Sequence, residues 1–266
     1  MTSGGPIDRA IARKFWEKRG AMAGDARATT LDNEPGWWVR YTVRLYQNFL
    51  LRHLEQWGTP WGKVVDLGCG NGDWTVMLAE RGREVIAVDF SQSLLESVQR
   101  RLEKKGHTHV TYVHGDAAGF EFPAGCDLIV LGAVLQYLED AECHAVIARA
   151  AAALSPKGVL YVRTTTTRRV DVKRNCTDDY QAIYRRPGFV EAGIEAAGLR
   201  IDAVTTGTVV LPNEAMHRLV GRRLYPTLGR ALAMPMRLAR HVQRVTKDTE
   251  IHHWLARKPA DRLQGA

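Results

Sequence analysis

The sequence lacks several features that would place the protein in a membrane or in an oxidising compartment. No uninterrupted apolar run reaches the roughly 18 residues that predict a transmembrane helix. The N-terminal stretch MTSGGPIDRAIARKFW carries charges throughout and has no apolar region typical of a secretory signal. The four cysteines lie far apart, without a C-x-x-C pair, which argues against a disulfide framework or a zinc site. These absences predict a cytoplasmic protein with reduced thiols.

The clearest local signal is the stretch VVDLGCGNGDW at residues 64–74, in which three glycines alternate with other residues after two valines and an acid. The next residues, TVMLAERG, have the pattern of a short amphipathic helix. A strand that ends in a glycine turn and opens a helix is typical of a ligand site. Glycine adopts positive φ, and it leaves the backbone open to a bound molecule. The stretch therefore predicts a cofactor-binding turn.

The spacing of the glycines distinguishes two classes of cofactor. In the dinucleotide pattern G-x-G-x-x-G, the helix N-terminus holds a pyrophosphate. Here the third glycine, Gly72, comes one residue early, and Asp73 occupies the place of the pattern's last glycine. Asp66 would set a carboxylate close to that pyrophosphate, but it suits a ligand that carries an ammonium and a sulfonium. The turn resembles the motif of class I S-adenosylmethionine-dependent methyltransferases, hydrophobic-hydrophobic-D-x-G-x-G-x-G.

Further motifs follow in the order found in that family. EVIAV at 84–88 predicts a second strand that ends in Asp89, where one carboxylate can accept from both hydroxyls of a ribose. A third strand is expected at His109–Val113 and a fourth at 126–131. The sequence AAAALSPKGVLYV at 150–162 resembles the family's turn into strand five. Together these motifs identify residues 60–165 as similar to a methyltransferase core.

The resemblance implies roles for individual residues. Asp116 is expected to accept from the adenine amino group, the N–H of Ala117 to meet the ring, and Phe90 to lie against it. Leu131 and Gly132 are expected to line the cofactor. The predicted cofactor residues are Arg40, Asp66, Gly68, Cys69, Gly70, Asn71, Asp89, Phe90, Asp116, Ala117, Leu131, Gly132 and Gln136.

The resemblance also implies a fold. We expect an α/β protein with a Rossmann-like, seven-stranded, mostly parallel sheet in the order 3-2-1-4-5-7-6 and an N-terminal lid helix. The last two strands form a hairpin in the minimal fold of the family, and this sequence departs from it by a helical insertion between them. The chain then divides into an arm with lid helices (1–58), an S-adenosylmethionine-binding core (59–210), a basic helical insertion (211–249), and a final strand with a tail (250–266).

The lid helix is predicted over residues 35–56, where apolar residues recur at spacings of three and four. In the family such a helix closes over the cofactor, so Arg40 is a candidate partner for the methionine carboxylate. The alternative for Arg40 is a solvated helix face. Residues 1–20 are expected to form a loosely held arm with one or two basic helical turns.

The region after strand four, LGAVLQYLEDAECH, is informative for the motifs that it lacks. It has no N/D-P-P-Y motif, no paired glutamates of the arginine methyltransferase type, and no acid at 131–133 that would bind magnesium. We therefore expect no metal. The candidate catalytic bases are Tyr137 and His144, because an alcohol acceptor needs a base. A solvent-exposed helix residue is the alternative for His144.

Two later segments are expected near the acceptor. The four threonines at 164–167 end a central strand that should be apolar, and they predict a hydrogen-bonding pocket. Asp178, Asp179, Tyr180 and Arg185 belong to a segment that either folds over the site or forms a solvated loop.

The insertion at 211–249 carries most of the formal net charge of +8. Within it, residues 228–247 sort apolar and basic side chains onto opposite helix faces. Such a helix can dock on the domain, lie on an anionic membrane at its inner face, or track nucleic acid, which is the least favoured partner.

The sequence thus predicts methyl transfer from S-adenosylmethionine to a small polar acceptor, with oxygen favoured over nitrogen. A sugar, a glycolipid or a specialised metabolite fits this prediction. The alternatives are a small-molecule N-methyltransferase, an RNA methyltransferase that uses the basic insertion, and a non-enzymatic cofactor-binding module. The oligomeric state stays open, a dimer included.

Overall fold

The computed structural model describes residues 7–21, 36–207 and 248–259. Within these residues, six α-helices and one 3₁₀ turn accompany the nine strands of a sheet. The helices are α1 (Arg9–Ala21), α2 (Gly36–Trp57), α3 (Asp73–Ala79), α4 (Gln92–Glu103), α5 (Asp140–Ala153) and α6 (Pro187–Ala196), and the 3₁₀ turn is Leu135–Tyr137. The strands are β1 (Lys63–Leu67), β2 (Glu84–Asp89), β3 (Val110–His114), β4 (Cys126–Gly132), β5 (Leu154–Thr167), β6 (Val172–Cys176), β7 (Gln181–Arg185), β8 (Arg200–Thr206) and β9 (Thr249–Arg257).

Seven of these strands form the predicted Rossmann-like sheet. Strands β3, β2, β1, β4 and β5 pair in parallel in that order. Strand β9 pairs antiparallel with β5 from Val159↔Arg257 to Thr167↔Thr249, and β8 pairs antiparallel with β9. The predicted order 3-2-1-4-5-7-6 is therefore confirmed, with β9 and β8 as its last two members.

Apolar side chains cover both faces of the sheet, as central parallel strands require. On one face, α5 and α6 bury residues such as Ile147 and Ile194 against β4 and β5. On the other face, α2, α3 and α4 bury residues such as Leu50, Met77 and Val98. The two layers leave the carboxyl ends of the parallel strands as the place for a site.

A β-hairpin formed by β6 and β7 is the main difference from the predicted fold, since a loop was expected there. Strand β7 meets β5 at Thr166↔Arg185, beyond the pair Gly132↔Arg163 at which β4 ends. At Thr166, β9 pairs with one edge of β5, so β7 pairs with the other edge, which is the one that β4 occupies further back along β5. The hairpin therefore stands above the carboxyl end of β4.

Helix α1 corrects a second prediction, because residues 9–21 are not a loosely held arm. The N–H of Ile7 donates to Glu139 at 3.0 Å, and that of Asp8 donates to Gln181 at 2.7 Å. A Cβ at Gly20 would overlap Oγ of Ser93, so α1 approaches α4 closely. Through these contacts, α1 lies over the carboxyl ends of the parallel strands.

Helix α2 is present as predicted and buries Leu50 and Leu54 against the core. The predicted insertion at 211–249 lies outside the described residues, apart from 248 and 249. Among the helices that are described, none is long and apolar enough to cross a membrane.

Candidate cofactor and acceptor site

A cavity of about 1200 Å³, including its open mouth, lies at the carboxyl ends of β1, β2, β4 and β5. This is where open parallel sheets place their ligands. Most of the residues predicted from the sequence line it. They are Asp66, Gly68, Cys69, Gly70, Asn71, Asp89, Phe90, Ala117, Gly132, Gln136 and Tyr137.

The glycine turn after β1 has the backbone that its sequence predicts. Gly68, Gly70 and Gly72 have φ values of 77°, 53° and 77°, a region that residues with a side chain rarely adopt. A Cβ at Gly68 would overlap the Val134 side chain, whereas a Cβ at Gly70 would meet nothing within 4 Å. Gly68 is therefore needed for packing, and Gly70 opens onto the cavity.

Two buried carboxylates stand at this end of the cavity. Asp66 is 1% exposed and accepts from Oγ1 of Thr75 at 2.7 Å. Asp89 accepts from the N–H of Gly70 at 2.9 Å and from that of Ser91 at 3.0 Å. Burial raises the pKa of each carboxyl to about 6. Asp89 thus holds the glycine turn in place as well as facing the cavity.

A cation that sequence reasoning missed lines the same cavity. Arg163 follows the apolar part of β5, and an ideal Cβ at Gly132 would lie 3.9 Å from its Nη2. Its guanidinium carbon lies 5.8 Å from the Trp74 ring centroid. Nε of Arg163 is buried and has no hydrogen-bond partner among the described residues. A charge within a central strand was the available signal, since such a position is normally apolar.

Two predicted cofactor residues lie elsewhere. Asp116, the predicted adenine acid, forms ion pairs with Arg9 at 3.3 Å and with Arg13 at 3.7 Å, so it fastens α1. Leu131 is fully buried in the core, because its side chain points to the helix layer and away from the strand ends. The side chain of Arg40 lies outside the described residues.

His144 does not reach the cavity, in contrast to the prediction that it is a base. Its ring stacks on Phe189, with centroids 4.5 Å apart, and its Nε2 lies 3.3 Å from the carbonyl oxygen of Phe189. The histidine lies on the side of α5 that contacts α6, and the helix turn thereby directs it away from the strand ends.

The wall opposite the carboxylates consists of neutral hydrogen-bonding groups on the 3₁₀ turn and on β5. Oε1 of Gln136 accepts from the N–H of Thr165 at 3.3 Å and from Oγ1 of Thr164 at 3.4 Å. Nε2 of Gln136 donates to the Tyr137 hydroxyl at 3.0 Å. Burial raises the pKa of Tyr137 to about 12, so this side chain stays protonated at neutral pH and can donate a hydrogen bond into the cavity.

Arg185 fixes the 3₁₀ turn that carries Gln136 and Tyr137. Its guanidinium, on a residue that is 4% exposed, donates to the carbonyl oxygens of Leu135 at 3.1 Å and Leu138 at 2.6 Å. It also pairs with Asp140 at 2.7 Å. The sequence indicated Arg185 as a possible acceptor contact, but the structure gives it a positioning role.

Aromatic side chains from α1 and the hairpin form a roof over this wall. Phe15 lies edge-on to Tyr180 with centroids 4.9 Å apart, and Trp16 lies edge-on to Tyr137 at 6.0 Å. Trp16 itself lines the cavity. The roof joins segments that are far apart in the sequence. No local pattern in either segment predicts that their aromatic side chains meet.

The donors and acceptors around the glycine turn fit S-adenosylmethionine. Asp66 offers a carboxylate for an ammonium, Asp89 one for a ribose diol, and Arg163 a guanidinium for a carboxylate. Gly70 leaves space at the turn, as a ligand that touches the backbone requires. A pyrophosphate in the same place would face Asp66.

Comparison with known proteins agrees with this geometry. Residues 64–158 match a family described as a methyltransferase domain. A demethylmenaquinone methyltransferase of Anoxybacillus flavithermus is 37% identical over 82 residues, which are 29% of this chain and 35% of that protein. A trans-aconitate 2-methyltransferase of Methylobacterium radiotolerans is 39% identical over 103 residues, which are 38% of this chain and 36% of that protein. The matches thus span about a third of these relatives.

A solved structure of an S-adenosylmethionine-dependent methyltransferase from Leishmania major shares the fold. Its TM-score is 0.66 at 14% sequence identity, over 94% of this chain and 82% of that one. Likeness at this identity shows the fold. Residues 64–158 are therefore similar to a methyltransferase domain, within a fold that this S-adenosylmethionine-dependent methyltransferase shares.

Proposed function

We propose that this chain transfers the methyl group of S-adenosylmethionine to an oxygen atom of a small polar molecule. The observation that carries this proposal is the division of one cavity into two chemically different ends. One end has the glycine turn with two buried carboxylates, and the other has the neutral hydrogen-bonding groups of Gln136, Tyr137, Thr164 and Thr165. A sugar, a glycolipid or a specialised metabolite remains the proposed acceptor.

Each cofactor-facing residue has a proposed task. Asp66 accepts from the cofactor ammonium and Arg163 donates to its carboxylate, so the two side chains hold the amino acid part from both ends. Asp89 accepts from the ribose hydroxyls. Phe90 and Ala117 line the place for the adenine. In this assignment Arg163 takes the role that the sequence suggested for Arg40.

The protein's contribution to the reaction is alignment and exclusion of water. The cofactor supplies an activated methyl group when bound. The Gln136–Tyr137 wall holds the acceptor oxygen in line with that group, and alignment of this kind can contribute several kcal/mol to the barrier reduction. The roof of Trp16 and Phe15 covers the acceptor end, which limits access of water.

Methyl-labelled S-adenosylmethionine, incubated with the full chain and with separate fractions of small molecules, lipids and RNA, tests the proposal. We expect label in a small-molecule fraction, together with S-adenosylhomocysteine. Label in RNA, or cofactor binding without any transfer, would contradict the proposal, since these outcomes identify an RNA methyltransferase or a binding module.

A further inference from the structure

The direction of the hydrogen bonds at the acceptor end restricts the acceptor further. We propose that the acceptor atom is an oxygen that is already anionic at neutral pH, a carboxylate in particular, and that the product is a methyl ester. This inference rests on the proposed function and names the substrate class for the same cavity.

The backbone of β5 sets the direction of the hydrogen-bond chain. The N–H of Thr165 can only donate, so the atom of Gln136 beside it is the acceptor Oε1. The other amide atom, Nε2, can only donate, and it faces the Tyr137 hydroxyl at 3.0 Å. The Tyr137 oxygen thus accepts from Gln136. Its own proton must point away, toward the Tyr180 hydroxyl at 3.2 Å or toward a bound acceptor.

The neighbouring hydroxyls allow the Tyr137 proton to face a bound acceptor. The Tyr180 hydroxyl lies 3.2 Å from that of Tyr137 and 3.3 Å from that of Tyr184, and either oxygen of each pair can donate. When Tyr180 donates to Tyr137, the Tyr137 proton is free. The hydroxyl of Thr164 donates to Gln136. Because burial holds the proton on Tyr137, this side chain offers a hydrogen-bond donor throughout the neutral range. Tyr137 therefore suits an acceptor group rich in lone pairs.

Carboxylates in the cavity occur only at the cofactor end, within the part of the chain that the structure describes. Asp66 is engaged by Thr75, and Asp89 by two backbone N–H groups. The described lining contains no histidine, glutamate or lysine. An alcohol would lack a proton acceptor there, and general-base catalysis is typically worth about 10²–10⁴-fold. A carboxylate acceptor carries no proton to remove, so it needs no base.

The reaction balances without a proton transfer. A lone pair of the carboxylate oxygen forms the new O–CH₃ bond while the S–CH₃ bond breaks and its electron pair stays on sulfur. The negative charge of the acceptor and the positive charge of the sulfonium disappear together. The products are a neutral ester and a thioether, so Tyr137 and Gln136 have only to hold the acceptor by hydrogen bonds.

Alkali lability of the transferred label tests the inference. Small-molecule extract is separated by anion exchange and incubated with the full chain and methyl-labelled S-adenosylmethionine, and the product is then treated with mild alkali. We expect the label in an acidic acceptor and its release as methanol, because esters hydrolyse and ethers and methylamines do not. An alkali-stable methyl ether would overturn the inference and leave the proposed function standing, whereas an alkali-stable methylamine would overturn both. No transfer in any fraction would overturn both.

Substitution of Tyr137 supplies a second readout. Y137F keeps the ring and removes the proton, and a hydrogen bond to a charged group is worth about 1.5–3 kcal/mol. We expect kcat/KM for the acidic acceptor to fall about 10- to 100-fold, with unchanged affinity for S-adenosylhomocysteine. Y112F is the matched control, because Tyr112 on β3 lies outside the cavity lining. Equal kcat/KM in Y137F and Y112F would contradict the inference.

Discussion

The cofactor end and the acceptor end of the cavity are built in opposite ways. The proposed cofactor end is charged and mostly local: Asp66, the glycine turn and Asp89 lie within one strand–helix–strand unit, and only Arg163 comes from a distant strand. The Gly70–Asp89 contact joins residues only 19 apart. The acceptor end is neutral and aromatic, and it is assembled from distant segments. Contacts there join residues 43 apart for Tyr137 and Tyr180, and 173 apart for Asp8 and Gln181.

The difference indicates which part sets the chemistry and which sets the choice of acceptor. A unit of continuous sequence preserves one cofactor geometry, because its turn, strand and helix position one another. A surface built from α1, the hairpin and the 3₁₀ turn can change its shape without disturbing that unit. The two ends should therefore respond separately to substitution.

Among these variants, G70V should show the largest difference between its effect on cofactor binding and its effect on folding. A Cβ at this position enters open cavity space and meets no protein atom within 4 Å, so the valine side chain takes the place proposed for the ligand. The positive φ adds about 1–2 kcal/mol of strain. We expect binding of S-adenosylhomocysteine to be lost by calorimetry while the protein still unfolds cooperatively. G68A is the contrasting variant, since its Cβ overlaps Val134 and should mainly lower stability. Normal cofactor binding by G70V would contradict the assignment of the turn.

R185M acts on the acceptor end, and it should lower stability and kcat/KM without changing cofactor affinity. Its guanidinium donates to two backbone carbonyls, and loss of a partner costs about 1–3 kcal/mol for each buried group. We expect the free energy of unfolding to fall by about 3 kcal/mol in urea titration. The affinity for S-adenosylhomocysteine should stay near that of the wild type, whereas kcat/KM should drop as the Gln136–Tyr137 turn loosens. An equal loss of cofactor affinity would argue that the two ends are one unit.

R163Q sharpens the assignment of the cofactor end. If Arg163 binds the cofactor carboxylate, its loss should weaken S-adenosylhomocysteine about 10- to 100-fold, the value of a hydrogen bond to a charged group. 5′-Methylthioadenosine has no carboxylate, so its affinity should not change. R83Q is the control, because Arg83 is exposed at the amino end of β2. Equal weakening of both ligands would place Arg163 in a purely structural role.

A smaller and graded effect is expected from pH. Burial raises the pKa of Asp66 and Asp89 to about 6 from 3.8. Without ligand, the folded state therefore binds more protons than the unfolded state between about pH 4 and 6, and stability falls as the pH rises through that range. Cofactor affinity should move the other way, because the ammonium requires ionised Asp66. Calorimetry from pH 5 to 7.5 should show affinity rising by at most about tenfold per unit for each carboxylate.

D66N is the variant that isolates the carboxylate in the pH experiment. It should bind S-adenosylhomocysteine more weakly at neutral pH and lose the part of the pH dependence that Asp66 supplies. A pH profile identical to that of the wild type would show that another group is responsible.

The sequence predicted most of the residues that line the cavity at the glycine turn, because the signals there are local. Strand, glycine turn and acid are adjacent, and the pairing of β1 with β2 follows from the parallel fold. The same reasoning failed for Asp116, whose carboxylate is taken by arginines of α1, and for His144, whose helix face is turned to α6. In both cases a segment far away in the sequence supplies the partner that the side chain contacts.

The acceptor end could not be predicted for the same physical reason. The segments VKRNC and QAIYR become strands because they pair with each other and because β7 reaches β5 beyond the end of β4. Arg163 and Arg185 gained their roles from neighbours on other strands and turns. The four threonines at 164–167 predicted a polar pocket, but the sequence did not indicate the direction of the hydrogen bonds in it.

Titration calorimetry with S-adenosylhomocysteine and NAD, each added separately to the full chain, tests the central claim most directly. The pair of buried carboxylates around an open glycine turn predicts saturable binding of the sulfur compound and none of the dinucleotide at the same concentration. Saturable uptake of NAD with S-adenosylhomocysteine ignored would contradict it.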